Sequence, residues 1–306
     1  MHIIPRIPVT EANLVSTNAP ADTYAVYDPD ATYAAGDFVQ VGAGYNGIWQ
    51  SLVDDNTGHH PATDTSSPPK WDFVGPTNAW AMFDDAGGTL TVAEDELVVV
   101  LQLGRCNTFY AADVDAARVT LSMTVPGFGV VYNKTIALRK RVTPVTRWSE
   151  FFFTRFDTQD YVLLMDLPRA SNGVLTVTYS KPGGGTVGVG SQMCGLSDFI
   201  GNTEFSPEIG IDDYSVRTTN KFGRMTFQQG PYSRLVSCRV EVRGGPVVVD
   251  GVVKRLTKYR SQPVLYVGAN GLYGSLIVYG IYERSRGVIP FATTAYFSFD
   301  LKSLTS

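Results

Sequence analysis

The residues best suited to acid–base chemistry are three histidines, two of which are adjacent. His2 lies near the start of the chain, whereas His59 and His60 lie in the run DDNTGHHPATDTSSPPK. A general base needs a side chain held in one orientation, with a carboxylate that orients it. A loop rich in proline and serine positions side chains poorly. We therefore predict no catalytic residue and interpret the chain as a non-enzymatic protein.

Oxygen-bearing side chains stand shortly before the two histidines, at Asp54, Asp55 and Asn56. Their oxygens suit a hard cation such as Ca²⁺. The same residue types also begin loops by forming Asx turns. The turn interpretation is favoured, because two adjacent histidine rings cannot easily reach one ion. We expect no metal and no cofactor.

Two further kinds of motif could carry chemistry: pairs of acidic residues and one run of glycines. The acidic pairs fall at 84–85, 94–96 and 212–213. A glycosidase needs two carboxylates at a set separation across a cleft, so these pairs are read as turn residues and a depolymerase is the least favoured function. Residues 183–188 match GxGxxG, but a dinucleotide site needs a helix opening at the last glycine. The residues that follow look extended, which predicts a hairpin loop.

Aromatic side chains are the remaining candidates for a binding function. Sugars can stack their C–H faces on aromatic rings, much as other apolar surfaces do. The candidate glycan-binding residues are Tyr33, Tyr45, Trp49, Trp71, Trp80, His59 and His60. The same rings could instead form the core of a small domain, and their spacing favours that second interpretation.

Short β-strands are the elements that must position these residues. Strand-like runs such as 118–125 and 174–180 alternate or are rich in Val, Thr, Leu and Tyr, with turn residues between them. The predicted fold class is mainly β. The predicted domains are an extended N-terminal arm (1–23), a small β module (24–75), a β-sandwich (76–195) and a C-terminal α+β domain (196–306). Such arms are often ordered by docking on a neighbouring molecule.

The C-terminal region contains one convincing helix signal, at Asp250–Arg260. Asp250 could cap it, and Val252, Val253, Leu256 and Tyr259 fall at helical spacing. A separate aromatic run at 148–156 (WSEFFFTRF) is expected to line the sandwich or a subunit contact.

Composition excludes several partners. The net charge is −4, whereas sequence-independent nucleic-acid binding needs a basic surface. No apolar run approaches the roughly 20 residues that span a bilayer, and the first residues do not form a signal peptide, so we expect no membrane insertion. The three cysteines are widely spaced and odd in number, which predicts reduced, buried thiols. Charged residues make up only 18% of the chain, below the roughly 25% usual in globular domains, which favours extensive protein–protein contact.

The module resembles a known kind of sugar-binding domain. Its pattern Tyr33-x-x-Gly36-Asp37-x-Val39, followed by Tyr45, Trp49, Asn56, Pro61 and Trp71, resembles the chitin-binding-like carbohydrate-binding modules of families 5 and 12. Those modules usually carry exposed aromatic residues just after the strand aromatic that Trp49 matches. Here residues 52–55 are Leu-Val-Asp-Asp.

A wider resemblance covers nearly the whole chain. The arm, the module, the junction GPTN-x-WAMFD at 75–84 and the later β domains resemble virion proteins of tailed bacteriophages. The resemblance implies a galactose-binding-type jelly roll in the middle. It also implies a multi-copy structural role near the tail tip or where fibres attach, with other tail proteins as partners. The expected location is the virion tail, assembled in the bacterial host cytoplasm. The alternative is a receptor-recognition protein that binds a host surface glycan.

Overall fold

The structure is a computed structural model, and strands make up 51% of it. It describes residues 1–42, 44–85, 87–141, 147–148, 156–219 and 221–304. One complete α-helix lies within those residues. The prediction of a mainly β protein is therefore confirmed. Most of the predicted aromatic run at 148–156 falls outside the described residues.

The first 76 residues contain eight short strands. They are His2–Pro5 (β1), Leu14–Thr17 (β2), Ala25–Val26 (β3), Thr32–Tyr33 (β4), Phe38–Val41 (β5), Gly47–Ser51 (β6), Asn56–Thr57 (β7) and Trp71–Pro76 (β8). Four of them form a small sheet in the order β3-β5-β6-β8, and β4 pairs with β7. These two small sheets make up the module. We call residues 24–75 the module.

The described residues in the middle of the chain form ten strands. They are Thr91–Glu94 (β9), Glu96–Leu101 (β10), Thr108–Asp115 (β11), Arg118–Val125 (β12), Gly129–Ala137 (β13), Arg139–Arg141 (β14), Phe156–Thr158 (β15), Val162–Leu164 (β16), Val174–Ser180 (β17) and Thr186–Gly195 (β18). One antiparallel sheet has the order β13-β12-β17-β10-β2, and a second has the order β16-β11-β18-β9.

The two middle sheets share one hydrophobic core. Leu97, Leu121 and Val177 come from the first sheet, Phe109 and Val189 from the second, and all five are fully buried in the same cluster. Alternation in β12 and β17 places every second side chain in that core, as a half-buried strand requires. We refer to these two sheets together as the two-sheet unit.

The glycine run does not form the predicted hairpin. Residues 181–185 connect β17 in one middle sheet to β18 in the other. Gly183, Gly184 and Gly185 all have positive φ, a backbone conformation that glycine adopts without steric cost. The hairpin prediction was wrong because local spacing cannot distinguish a turn within a sheet from a crossover between two sheets. No helix follows the run, as we predicted.

The last third of the chain contains nine strands and the helix. The strands are Asp198–Phe199 (β19), Asn202–Thr203 (β20), Glu208–Asp213 (β21), Val216–Thr219 (β22), Met225–Gln228 (β23), Tyr232–Arg243 (β24), Val264–Val267 (β25), Ile277–Phe291 (β26) and Thr294–Ser303 (β27). The helix (α1) is Gly245–Lys258. Eight strands form a sheet in the order β19-β1-β25-β26-β27-β24-β20, with β21 also on β24.

The helix begins five residues earlier than predicted. Its N-cap is Gly244, whose φ of 128° is difficult for other residues, and proline stands in its first turn. Asp250 is therefore an exposed interior residue, not the cap. Val249, Val252 and Leu256 form the buried face on the sheet, whereas Val253, which the predicted helical spacing included, is 47% exposed.

The first 17 residues are divided between two sheets. β1 pairs with β25 and β19 in the eight-stranded sheet, while β2 pairs with β10 in the two-sheet unit. Ile3 is buried in the helix-covered core, and Ile4 is fully buried in a separate cluster with Tyr110 and Met193 of the two-sheet unit. The segment expected to dock on a neighbour therefore docks within its own chain.

Candidate functional site

The module is built around one buried tryptophan. Trp71 begins β8 and is 5% exposed. Its indole N–H donates to the backbone oxygen of His59 at 2.8 Å, which fixes the long loop against the sheet.

Two rings contact Trp71, and a third ring, His60, joins the cluster through Tyr27. The centroid of Tyr33 lies 5.3 Å from that of Trp71, and the centroid of Tyr27 lies 6.0 Å from it, both in edge-on contact. Tyr27 stacks on Tyr33 at 5.8 Å, and His60 meets Tyr27 edge-on at 5.3 Å. Burial raises the pKa of the Tyr27 hydroxyl. These rings pack mainly on one another, so they supply the core of the module.

The other candidate rings are more widely separated. Tyr45 is 49% exposed and touches only the outer side of the cluster, with its centroid 5.6 Å from His60. Trp49 packs edge-on against Phe73 at 5.1 Å. Trp80 lies beyond the module and packs on the core of the two-sheet unit. The seven candidate residues therefore do not form one continuous stacking surface.

His59 is held between two charged side chains. Lys70 Nζ lies 2.5 Å from His59 Nε2, and Asp64 Oδ1 lies 3.6 Å from His59 Nδ1. Because the lysine can only donate, Nε2 must accept and the ring proton lies on Nδ1, toward Asp64. The Ser66 hydroxyl donates to Asp64 and lowers the pKa of that carboxyl. This network orders the part of the long loop from His59 to Lys70.

The oxygen-bearing residues before the histidines have structural partners. Asp54 accepts from the backbone N–H of Ala35 at 2.9 Å. Asn56 is buried and donates to the Ser51 hydroxyl at 3.0 Å. Among the described residues, no cluster of three or more His, Cys, Asp or Glu side chains could hold a metal ion.

The acidic pairs also have structural partners. Asp85 forms an ion pair with Arg6 at 2.8 Å. Asp95 has positive φ and accepts from the backbone of Gly185, which places it in a turn. Asp212 pairs with Lys302 at 2.9 Å. All three cysteines are buried and free, as predicted.

A small cavity between the two-sheet unit and the eight-stranded sheet brings together Asp113, Asp160 and Arg234. Burial and the nearby Asp160 raise the pKa of Asp113, while Arg234 pairs with Asp160 at 3.5 Å. The cavity volume is about 60 Å³. That space holds only a few water molecules, so it is too small for a substrate.

A larger groove lies where the module meets the two-sheet unit. Its volume is about 470 Å³, within the roughly 300–1,000 Å³ typical of ligand sites. Three of its rings are Tyr45, Phe73 and Trp80, and two carboxylates, Glu11 and Asp84, lie on its wall. Glu11 accepts from the backbone N–H of Gly44 at 2.8 Å. We call this feature the aromatic groove.

The sequence named only two of these groove residues as candidates, Tyr45 and Trp80. Phe73 stands two residues after Trp71, where strand alternation predicts a buried ring on the same face, so no local signal indicated that it would be half exposed. Glu11 had no local signal, because it reaches the groove from the N-terminal segment.

Comparisons with family models, curated proteins and solved structures find no match to this chain. In the part of the chain that the structure describes, no helix is long and apolar enough to cross a membrane.

Proposed function

We propose that this chain is a non-enzymatic structural protein of a bacteriophage tail, present in several copies at the tail tip or where fibres attach. The resemblance of the module and of the junction at 75–84 to tailed-phage virion proteins supports this proposal. Its partners are other tail proteins and further copies of itself, with no nucleic acid and no membrane insertion. The two-sheet unit is proposed to be a galactose-binding-type jelly roll, since two antiparallel sheets share one core.

The observation that carries the assembly role is the apolar surface of the last third of the chain. Several large apolar side chains there are more than half exposed: Phe205, Ile209, Ile211, Val247, Val288, Ile289 and Phe291. Ile209 and Ile211 lie on one face of β21, and Val288, Ile289 and Phe291 lie close together near the end of β26. Neighbouring exposed apolar side chains of this kind are typical of a contact with another protein. Strand β26 adds to this surface. β25 pairs with its residues 277–280, and among the described residues no strand pairs with that edge of β26 beyond residue 280.

Localisation in virions tests this function directly. Antibodies against the purified protein should label one end of the tail in electron micrographs of the phage that encodes it. The protein should also be present in purified particles at several copies for each tail, measured by quantitative mass spectrometry. Absence from washed particles would overturn the proposal.

The aromatic groove favours a second candidate function, recognition of a host surface glycan. Its rings could stack on sugar faces while Glu11 and Asp84 accept hydrogen bonds from hydroxyl groups. Calorimetric titration with host surface polysaccharide should then give binding that Tyr45→Ala weakens. A folded protein that binds no glycan on an array would rule this candidate out.

A further inference from the structure

One β-hairpin of the last third of the chain stands apart from every sheet. Strands β22 and β23 pair only with each other, and all eight of their residues are exposed. Gly223 in the connecting turn has a φ of 78°. A lone two-stranded hairpin is marginally stable in water without packing against another surface. We call residues 216–228 the hairpin arm.

The hairpin arm is basic and partly apolar. It carries Arg217, Lys221 and Arg224 and no Asp or Glu. Arg217 lies opposite Phe227 in the strand register, so both project from the same face. Phe227 is 68% exposed, and Phe222 near the tip is 94% exposed. The arm therefore presents cations and aromatic rings to solvent together.

Aromatic rings are combined with carboxylates, instead of cations, elsewhere in the chain. The module has seven carboxylates against one lysine, a net charge of −6. At its edge the aromatic groove combines three rings with the carboxylates Glu11 and Asp84. No residue of the hairpin arm lines the groove of its own chain. An arm from another copy is the complementary occupant that the protein itself supplies.

We propose that the tip of the hairpin arm of one copy inserts into the aromatic groove of a second copy. The Phe222 ring would pack among Tyr45, Phe73 and Trp80, while Lys221 and Arg224 face Glu11 and Asp84. Arm and groove are different surfaces, so the contact is head-to-tail and builds a ring or an open filament. The inference rests on the proposed assembly function and specifies the interface.

A charge-swap experiment on the full chain tests this contact. The arm variant is Lys221→Glu with Arg224→Glu, and the groove variant is Thr10→Lys with Glu11→Lys. A matched control, Lys254→Glu with Arg260→Glu, makes the same charge change as the arm variant on and just after α1. Circular dichroism and melting curves establish that each variant is folded, and sedimentation velocity measures assembly at low and physiological salt.

We expect wild-type protein and the control to assemble, with weaker assembly as salt rises. Each charge variant alone should associate roughly tenfold more weakly or not at all. An equal mixture of the arm and groove variants should regain assembly. The acidic arm of the first variant faces the basic groove of the second, and the native arm of the second faces the native groove of the first. A mixture that stays dissociated, or an arm variant that assembles like wild type, overturns the interface while leaving the tail function to its own test.

Two further outcomes concern other occupants of the groove or partners of the arm. A wild-type protein that is monomeric at all concentrations overturns the inference, whatever the virion labelling gives. The inference is also overturned if the wild-type protein is monomeric and binds a double-stranded DNA probe that the arm variant no longer binds. It is likewise overturned if the monomer binds glycan in the aromatic groove. As a second measurement, Phe222→Cys mixed with Tyr45→Cys should give an intermolecular disulfide, because the native cysteines are buried.

Discussion

At the scale of single residues, aromatic side chains divide into structural and surface groups according to their neighbours. Trp71, Tyr27 and Tyr33 pack on one another, whereas Tyr45 and Phe73 are about half exposed at the groove. A domain of this size has little other apolar material with which to build a core. The concentration of rings therefore supports stability first, and only the rings at the groove are positioned for a partner.

Replacing Trp71 with alanine should unfold the module. Removing a buried tryptophan costs about 3–5 kcal/mol, a large fraction of the stability of so small a domain. Calorimetry should show loss of the module transition while the rest of the chain melts as before. Tyr45→Ala, at a half-exposed ring of the same module, is the control and should melt nearly as wild type. An unchanged melting profile for Trp71→Ala would contradict the assigned core.

The module should also lose stability in acid through Asp64. Hydrogen bonding from Ser66 lowers the pKa of this carboxyl in the folded state below its ordinary value of 3.8. Its stabilising contribution is therefore complete above pH 3.8 and is lost as pH falls through the lowered folded value. Asp64→Asn should be less stable than wild type at pH 7, and the difference should shrink below pH 4. A difference that is constant with pH would refute this role.

At the scale of elements, the N-terminal strands connect the two larger parts of the molecule. β1 lies between β19 and β25, and its alternating side chains enter two different cores. Beside it, Gly195 passes so close that a Cβ there would overlap the carbonyl oxygen of Pro5. Glycine at this position permits the backbone approach that joins β18 to the N-terminal segment.

Shortening one side chain of β1 should test that connection. Ile4→Ala removes a fully buried side chain and should lower the free energy of unfolding by about 2–5 kcal/mol. Val15→Ala on β2 is the matched control, since Val15 is 56% exposed. Chemical denaturation followed by far-ultraviolet circular dichroism measures both. Equal effects of the two substitutions would show that β1 does not join the two parts.

At the scale of the whole molecule, the junction at 75–84 fixes the module to the two-sheet unit. Asn78 is its centre: the side-chain amide donates to the carbonyls of Pro20 and Val92 and accepts from the Val92 N–H at 2.8 Å. Met82 and Phe83 follow and are buried in the core of the two-sheet unit. The most distinctive string of the sequence thus has a structural role in orienting the acidic module.

Asn78→Ala should loosen the module without unfolding it. The substitution leaves the Val92 N–H without its acceptor, at a cost of about 1–3 kcal/mol. Limited proteolysis should cut near residues 75–80 faster, and the calorimetric transition of the module should move to a lower temperature than in the wild-type protein. Asn133→Ala, at an exposed position of β13, should change neither measurement. Unchanged proteolysis of Asn78→Ala would show that other contacts fix the junction.

Local pattern determined much of the strand content. The runs predicted at 118–125 and 174–180 have the observed bounds, because alternation and flanking turn residues are properties of neighbouring residues. The helix was predicted in type but not at its start, since Asp250 resembles a cap, whereas Gly244 and the proline after Gly245 begin the helix. The abundance of aromatic residues in the module and the excess of carboxylates there were likewise readable from the sequence.

Only the tertiary structure decided which distant segments meet. It divided residues 2–17 between two sheets, carried the glycine run from one sheet to another and brought Glu11 beside Tyr45 and Trp80. Strand pairing depends on hydrogen bonds between segments far apart in sequence, and no local periodicity specifies the partner. The aromatic residues follow the same rule. The sequence determines how many there are, but tertiary packing decides which of them form the core of the module and which line the groove.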